Sequence, residues 1–240
     1  MAKFYDMDVD ATMASTEKES IFLKCNPDSD LLLRFLPPVH PSLYYLNVNH
    51  FGLQEEGDDG KERAVAYGCL NVHGDGDCPL CKVWKHLLNL DTKESKKLAN
   101  EIKPSRNWYT QVLNGVMDKD GKLVWQGPYM FRLSKTGTDA ISDILSAQRK
   151  TREPFITDPK KGKPVVFKRK GAMLQTKYSA VVSADPVDLN KVFPSWEKDA
   201  FDDLEAQLDI KIKTPEQMLA AAKAAHSADW DTILKEAGVV

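Results

Sequence analysis

The chain has 240 residues, 42% hydrophobic and 28% charged, an ordinary composition for a soluble globular protein. No apolar run approaches the roughly 20 residues that span a bilayer, and residues 1–16 carry acids early with no apolar core, so they do not read as a signal peptide. The formal net charge of −2 hides an asymmetry: residues 1–81 hold 6 Lys/Arg against 14 Asp/Glu, residues 82–184 hold 21 against 9, and residues 185–240 hold 6 against 12.

Residues 1–20 are polar and read as a flexible segment. The apolar run Leu31–Leu36, stopped by Pro37-Pro38, reads as a strand, as does the aromatic and β-branched stretch Leu43–Phe51, which ends near His50. After the acidic turn Glu55–Lys61, Arg63–Leu70 reads as a third strand that delivers Cys69. Leu80, Val83, Trp84, Leu87 and Leu88 recur at helical spacing, so a helix starts at Cys78-Pro79-Leu80-Cys81. Lys93–Ile102 is a second helix, stopped by Pro104. Asn107–Val116 and Lys122–Leu133 form a hairpin around Asp118-Lys119-Asp120-Gly121, with a kink or bulge at Gly127-Pro128. Thr138–Arg149 is a helix capped by Thr138 or Ser134. A Lys-, Gly- and Pro-rich loop, 154–164, leads to strands Val165–Lys170 and Lys177–Val182, joined by a turn containing Gly171. Ser195–Leu208, Thr214–Ala225 and Ser227–Ala237 read as helices, each opened by Ser or Thr. Short strands joined by hairpins around one helix fit a mainly β (α+β) fold, a five-stranded OB-type barrel. The expected organisation is an N-terminal arm (1–25), a barrel core (26–190) with an inserted zinc-binding loop at about 50–103, and an acidic region of C-terminal helices (191–240).

Cys69, Cys78 and Cys81 cluster with His73 and His50, while Cys25 stands apart and reads as a small buried residue. Four cysteines, three of them grouped with histidines, indicate a reducing compartment and a metal rather than disulfides. Thiolates at this spacing suit zinc, with His73 or His50 as the fourth ligand. Nucleobase deaminases use His-x-Glu with Pro-Cys-x-x-Cys, but here Gly74-Asp75 follows His73 and the proline lies inside the Cys-x-x-Cys. The expected zinc is therefore structural, and its binding contributes to folding.

The positive middle of the chain can neutralise phosphates and release counterions. It interleaves cations with aromatic residues in three places: Arg106 with Trp108 and Tyr109; Tyr129 and Phe131 with Arg132; and Lys168-Arg169-Lys170 with Tyr178. Single-strand binders need cations along the backbone and rings for bases to stack on. Alternation puts Trp108 and Tyr109 on opposite faces, so one of the two belongs to the core. Lys160-Lys161-Gly162-Lys163 reads as either a phosphate-contacting or a plain surface loop. No recognition helix or repeated finger for duplex readout is present.

Cys69-Leu70-Asn71-Val72-His73-Gly74-Asp75-Gly76-Asp77-Cys78-Pro79-Leu80-Cys81 resembles the zinc segment of the T-even phage single-stranded DNA-binding (helix-destabilising) proteins. The resemblance extends more loosely over residues 30–205. It implies His50, Cys69, Cys78 and Cys81 as zinc ligands, with His73 outside the site. It also implies DNA contacts in the basic-aromatic strand Lys103–Val112, in Tyr129–Arg132 and in the hairpin Val165–Tyr178. It further implies a non-enzymatic role in the cytoplasm of an infected bacterium. There the protein would coat and protect single-stranded DNA in replication, recombination and repair, with self-association along the strand and recruitment of replication or recombination proteins through the acidic C-terminal region. Two features depart from the family: residues 1–20 lack its basic cluster and carry Asp6, Asp8, Asp10, Glu17 and Glu19, and a moderately acidic helical end replaces a long acidic tail. Three other readings are a zinc-containing RNA-binding regulator on the same barrel, a zinc-dependent nucleic-acid enzyme, and a protein-interaction module built on the acidic helices.

Overall fold

The computed structural model describes residues 20–38, 42–171, 175–201 and 204–239. The first elements are β1 (Phe22–Leu23), β2 (Ser29–Phe35), β3 (Tyr45–Glu56), β4 (Glu62–Gly68), α1 (Leu70–His73), α2 (Pro79–Leu90) and α3 (Lys93–Ile102). There follow β5 (Pro104–Met117), β6 (Leu123–Leu133), α4 (Lys135–Thr151), β7 (Val165–Lys170) and β8 (Lys177–Val182). The chain closes with α5 (Leu189–Val192), α6 (Trp196–Asp199), α7 (Leu204–Gln207), α8 (Pro215–Ala225) and α9 (Trp230–Glu236). Most of the expected N-terminal arm, residues 1–19, lies outside the described residues, as does the part of the last hairpin turn at 172–174.

The fold is mixed α+β. Among the described residues eight strands are hydrogen-bonded in the order β1-β6-β5-β2-β7-β8, with β3 joining β5 and β4. β2 lies antiparallel between β5 and β7, and both of its faces are covered over its second half, where Leu33, Arg34 and Phe35 are all fully buried, so its sequence is a near-continuous apolar run and not an alternating one.

Two compact units divide the chain. The first takes the residues up to Leu36 with Gln111–Arg132 and Ile144–Ala200; the second takes Pro37–Thr110, Leu133–Asp143 and Phe201–Val240. In the first unit, Leu33, Phe35, Met130, Phe131, Val165 and Phe167 are buried, with Phe131 set edge-on to Phe167 at 5.2 Å. Leu36, Leu113 and Leu189 form a further cluster under Trp125, Phe193 and Trp196. The helix expected over Ser195–Leu208 is interrupted at Ala200, whose backbone is not helical (φ −59°, ψ 142°), and among the described residues the short helices α6 and α7 form in its place.

In the second unit, β3 pairs with β4 and with the first half of β5. Helix α2 starts with Pro79 in its first turn and buries Leu80, Val83 and Leu87, one face at helical spacing. Helices α3 and α8 carry reciprocal caps, Thr92 with Ser95 and Thr214 with Gln217. Asp229, rather than Ser227, caps α9. Met218, Ala222, Trp230 and Leu234 from these C-terminal helices share one core with Val48, Leu53, Tyr67, Leu80, Val83 and Leu87. Burial of each large apolar side chain here contributes about 1.5–3 kcal/mol. The C-terminal helices are thus integral to this unit's core, not an appendage to it.

Candidate metal centre

Three segments of the second unit converge. β3 supplies His50. The backbone N–H of Cys69 donates to Val48 O at 2.8 Å, which places this thiol just past the last residue of β4. Cys78 caps α2, and Cys81 lies in its first turn. There the positive end of the helix favours thiolates. Between them the chain makes α1 and a tight loop. Asn71 Oδ1 accepts from the N–H of Cys78 at 2.9 Å, and Gly76 N donates to Leu70 O at 3.1 Å. Gly76 has φ of +98°, a conformation that glycine adopts without strain.

The donor atoms of His50, Cys69, Cys78 and Cys81 all lie within 4.8 Å of one another, and all four residues are buried. Cys69 Sγ and Cys81 Sγ are 3.4 Å apart; His50 Nε2 lies 3.4 Å from Cys78 Sγ and 3.6 Å from Cys81 Sγ. A tetrahedral ion bound at about 2.3 Å to sulfur and about 2.0 Å to nitrogen holds its ligands roughly 3.5–3.8 Å apart. The cluster therefore fits an ion of that size with little adjustment, and the thiols are free of disulfide bonds. His50 Nδ1 lies 2.8 Å from Ile102 O. A carbonyl only accepts, so Nδ1 carries the proton and Nε2 of the neutral ring offers its lone pair to the cluster.

The electrostatics agree with this donor set. Burial works against a charged His50, but hydrogen bonds with Cys69 and Cys78 overcome it and push its pKa up to about 9. Hydrogen bonds with Cys69 and Cys81 hold Cys78 far below the usual thiol value, while hydrogen bonds with Cys69 and Cys78, together with burial, hold Cys81 far above it. Without an ion, protons shared among the donors compensate the buried thiolate charge. A dication would displace those protons and neutralise the buried negative charge.

His73 is not among the four donors. Its Nε2 accepts from the N–H of Val48 at 3.0 Å, and its ring stacks on Tyr45 at 6.3 Å. Asn71 and the Ile102 carbonyl, which hold the loop and orient His50, were not singled out from the sequence. An Asn two residues after a ligand Cys and ahead of a Gly-rich loop is the available signal for the first; the second leaves no signal, because it is backbone.

The residues expected to contact DNA fall into both units. In the second unit Lys103 and Arg106 are exposed, Trp108 is half-buried, and Tyr109 is 8% exposed, so Tyr109 is the core member of that pair. In the first unit Arg132 and Lys170 are exposed and Tyr129 is half-buried. Phe131 is 1% exposed, so its ring belongs to the core and offers no face to a base. Tyr178 pairs across the hairpin with Arg169, and its ring lies 5.5 Å from Phe167. Lys168 is tied to Asp30 at 2.7 Å, and Arg169 donates to Cys25 O at 2.8 Å. No ion pair among the described residues engages Lys103, Arg106, Arg132 or Lys170. Among the described residues, no helix is long and apolar enough to cross a membrane. No protein-family profile matches the chain, and a comparison with curated protein sequences gave no match.

Proposed function

We propose that this protein is a sequence-independent single-stranded DNA-binding protein whose four-donor centre holds a structural zinc ion. The observation that carries the reading is the pairing of β3 with β5. His50 stands opposite Pro104, Val48 opposite Arg106, and Leu46 opposite Trp108. The metal ligand and the start of the basic-aromatic strand are thus fixed in one register, so an ion at His50 stiffens the segment from Lys103 to Tyr109. Three soft thiolates and an imidazole favour zinc over magnesium or calcium. Four protein donors leave no open position for a reactive water, which supports a structural ion over a hydrolytic one.

In this reading, cations along β5 and the β7–β8 hairpin hold the backbone, rings stack on bases, and sequence matters little. The architecture is an elaborated OB-type barrel with an inserted metal segment. The resemblance at Cys69–Cys81 supports a place in phage DNA replication, recombination and repair in the cytoplasm of an infected bacterium, together with the protein partners these processes require. Titration of the intrinsic tryptophan fluorescence with oligo-dT and with a duplex of equal length, at two salt concentrations, tests it. Quenching by oligo-dT that weakens with salt, with little response to duplex, is expected. No response to either ligand would defeat the proposal.

A further inference from the structure

We infer that Arg149–Lys163 in the first unit is an additional, preformed contact site for single-stranded nucleic acid, with Phe155 as its stacking platform; this rests on the reading proposed above. The segment holds six Lys/Arg and two acids, Glu153 and Asp158. Arg149, Lys150, Arg152, Lys160 and Lys161 are exposed, and no ion pair among the described residues engages them. Phe155 is 45% exposed, and only Phe51 among the other described aromatic residues is comparably open.

A lone exposed ring or a few surface lysines would mean little. What sets this segment apart is its support. Its backbone is held from beneath by two buried polar side chains. Gln148, 5% exposed, accepts from the N–H of Ile156 through Oε1 at 3.1 Å. Arg34, fully buried on β2, donates to Ile156 O at 2.5 Å, to Asp158 O, to Phe35 O at 2.7 Å and to Val187 O at 3.0 Å. Gly162 lies against the guanidinium so closely that a Cβ there would meet both terminal nitrogens at 2.7 Å. The acid inside the turn faces its own backbone: Asp158 Oδ1 accepts from the N–H groups of Lys160 and Lys161 at 2.9 and 2.8 Å. That bonding turns Asp158 toward the amides and leaves the two lysine side chains exposed. Ile156 anchors the chain in the core while Phe155, its neighbour, stands out in solvent. A loop held this firmly has little conformational entropy left to lose when a ligand docks. Rings for bases beside cations for phosphates are the chemistry of single-strand binding.

The test uses the full chain and a labelled oligo-dT of about 16 nucleotides, titrated at several salt concentrations. The variants are Phe155→Ala, Lys160→Ala/Lys161→Ala and Arg106→Ala. The first two change exposed side chains, so their melting temperatures should match the parent protein. Phe155→Ala should weaken binding roughly 5- to 150-fold with the salt slope unchanged. The lysine pair should lower the log–log salt slope by about 1.4. If the parent protein binds and Arg106→Ala weakens it, but either the Phe155 or the lysine variant behaves like the parent, the site is refuted while single-strand binding stands. If the parent protein does not bind, the proposed function fails, and this site fails with it.

Discussion

His50 reaches Ile102 with one ring nitrogen, at 2.8 Å, and the thiols of Cys78 and Cys81 with the other. One imidazole thereby joins β3, the end of α3 and the start of α2. Replacing Cys78 with Ser should abolish metal retention, lower the melting temperature and make it insensitive to chelator. His50→Ala should lose the metal and also leave the Ile102 carbonyl without its donor. His73→Gln should keep one metal per chain, because that ring lies outside the four donors; losing its acceptance from the Val48 amide should cost about 1 kcal/mol. Metal content after dialysis, read beside thermal melts, checks all three. Loss of metal from His73→Gln with retention by His50→Ala would reverse the ligand assignment.

Metal affinity should rise with pH. In the metal-free cluster His50 is pushed up to about 9 and Cys81 is held above the usual thiol value, so protons compete with the ion at neutral pH. Lowering the pH strengthens that competition, and raising it toward 9 relieves it. Zinc titrations with a competing indicator at pH 6, 7 and 8 should give successively tighter binding and release protons into a weak buffer. Affinity that is flat across this range would mean that the donors are already deprotonated, contrary to these contacts.

Much of the site is legible in the sequence, because Cys-x-x-Cys with a nearby third Cys imposes local geometry. The choice between His50 and His73 is not local. It depends on the β3–β5 register and on the irregularity in β3 between His50 and Leu53, and residue spacing alone leaves both histidines in play. Strand parity explains why Phe131 is buried where Arg132 is exposed: neighbours on a strand face opposite sides, and composition does not say which side is the core. The amphipathic pattern predicts helices in the C-terminal region but not the surface they cover. Their burial with Leu80, Val83 and Leu87 emerges only in the tertiary structure. Arg34 reads in the sequence as a charge interrupting an apolar run, and only the fold shows it fully buried beneath the 154–164 loop.

Arg34→Met should destabilise the protein by about 3–5 kcal/mol, since it takes the guanidinium donors away from the carbonyls of Ile156, Val187, Phe35 and Asp158, the last of which keeps only the N–H of Gly162. Arg34→Lys should rescue only part of this, because an ammonium cannot reproduce the planar fork that reaches Val187, Ile156 and Asp158 together. Urea unfolding measures both. Full rescue by lysine would show that the charge, and not the fork, is what the site requires.

Gly52 has φ of +69°, and a Cβ there would meet the Glu101 carbonyl oxygen at 2.6 Å. Gly52→Ala combines backbone strain with a backbone clash, so it should cost at least about 1–3 kcal/mol and loosen β3 beside His50. Chemical denaturation and hydrogen exchange at His50–Leu53 report the two effects. An unchanged midpoint would mean that α3 can shift away from β3 at little cost.

Asp158 is held below the usual carboxylate range, chiefly by the N–H of Lys161, with burial opposing and the N–H of Lys160 and the Arg34 charge assisting. A depressed folded-state pKa stabilises the fold above the unfolded value of 3.8 and loses that contribution as pH falls through the folded value. Below that pH the Lys160 and Lys161 amides should lose hydrogen-exchange protection. Asp158→Asn keeps an accepting oxygen without the charge, so it should remove this acid-dependent step and leave the turn formed at neutral pH. If the variant shows the same acid transition as the parent protein, another carboxylate governs the loop.

Arg106 and Lys168 separate a free cation from a committed one. Arg106 is exposed with no ion pair among the described residues, whereas Lys168 is bound to Asp30 at 2.7 Å. A cation already neutralised by a carboxylate releases fewer counterions when a phosphate approaches, and its ion pair must break first. Arg106→Ala should therefore lower the salt slope of oligo-dT binding by about 0.7, the share of one phosphate contact on a single strand. Lys168→Ala should lower it by less. Asp30→Ala, which frees Lys168, should tighten binding at low salt and steepen the slope. Equal effects of the two basic substitutions, with none from Asp30→Ala, would show that the Lys168–Asp30 pair does not persist in solution.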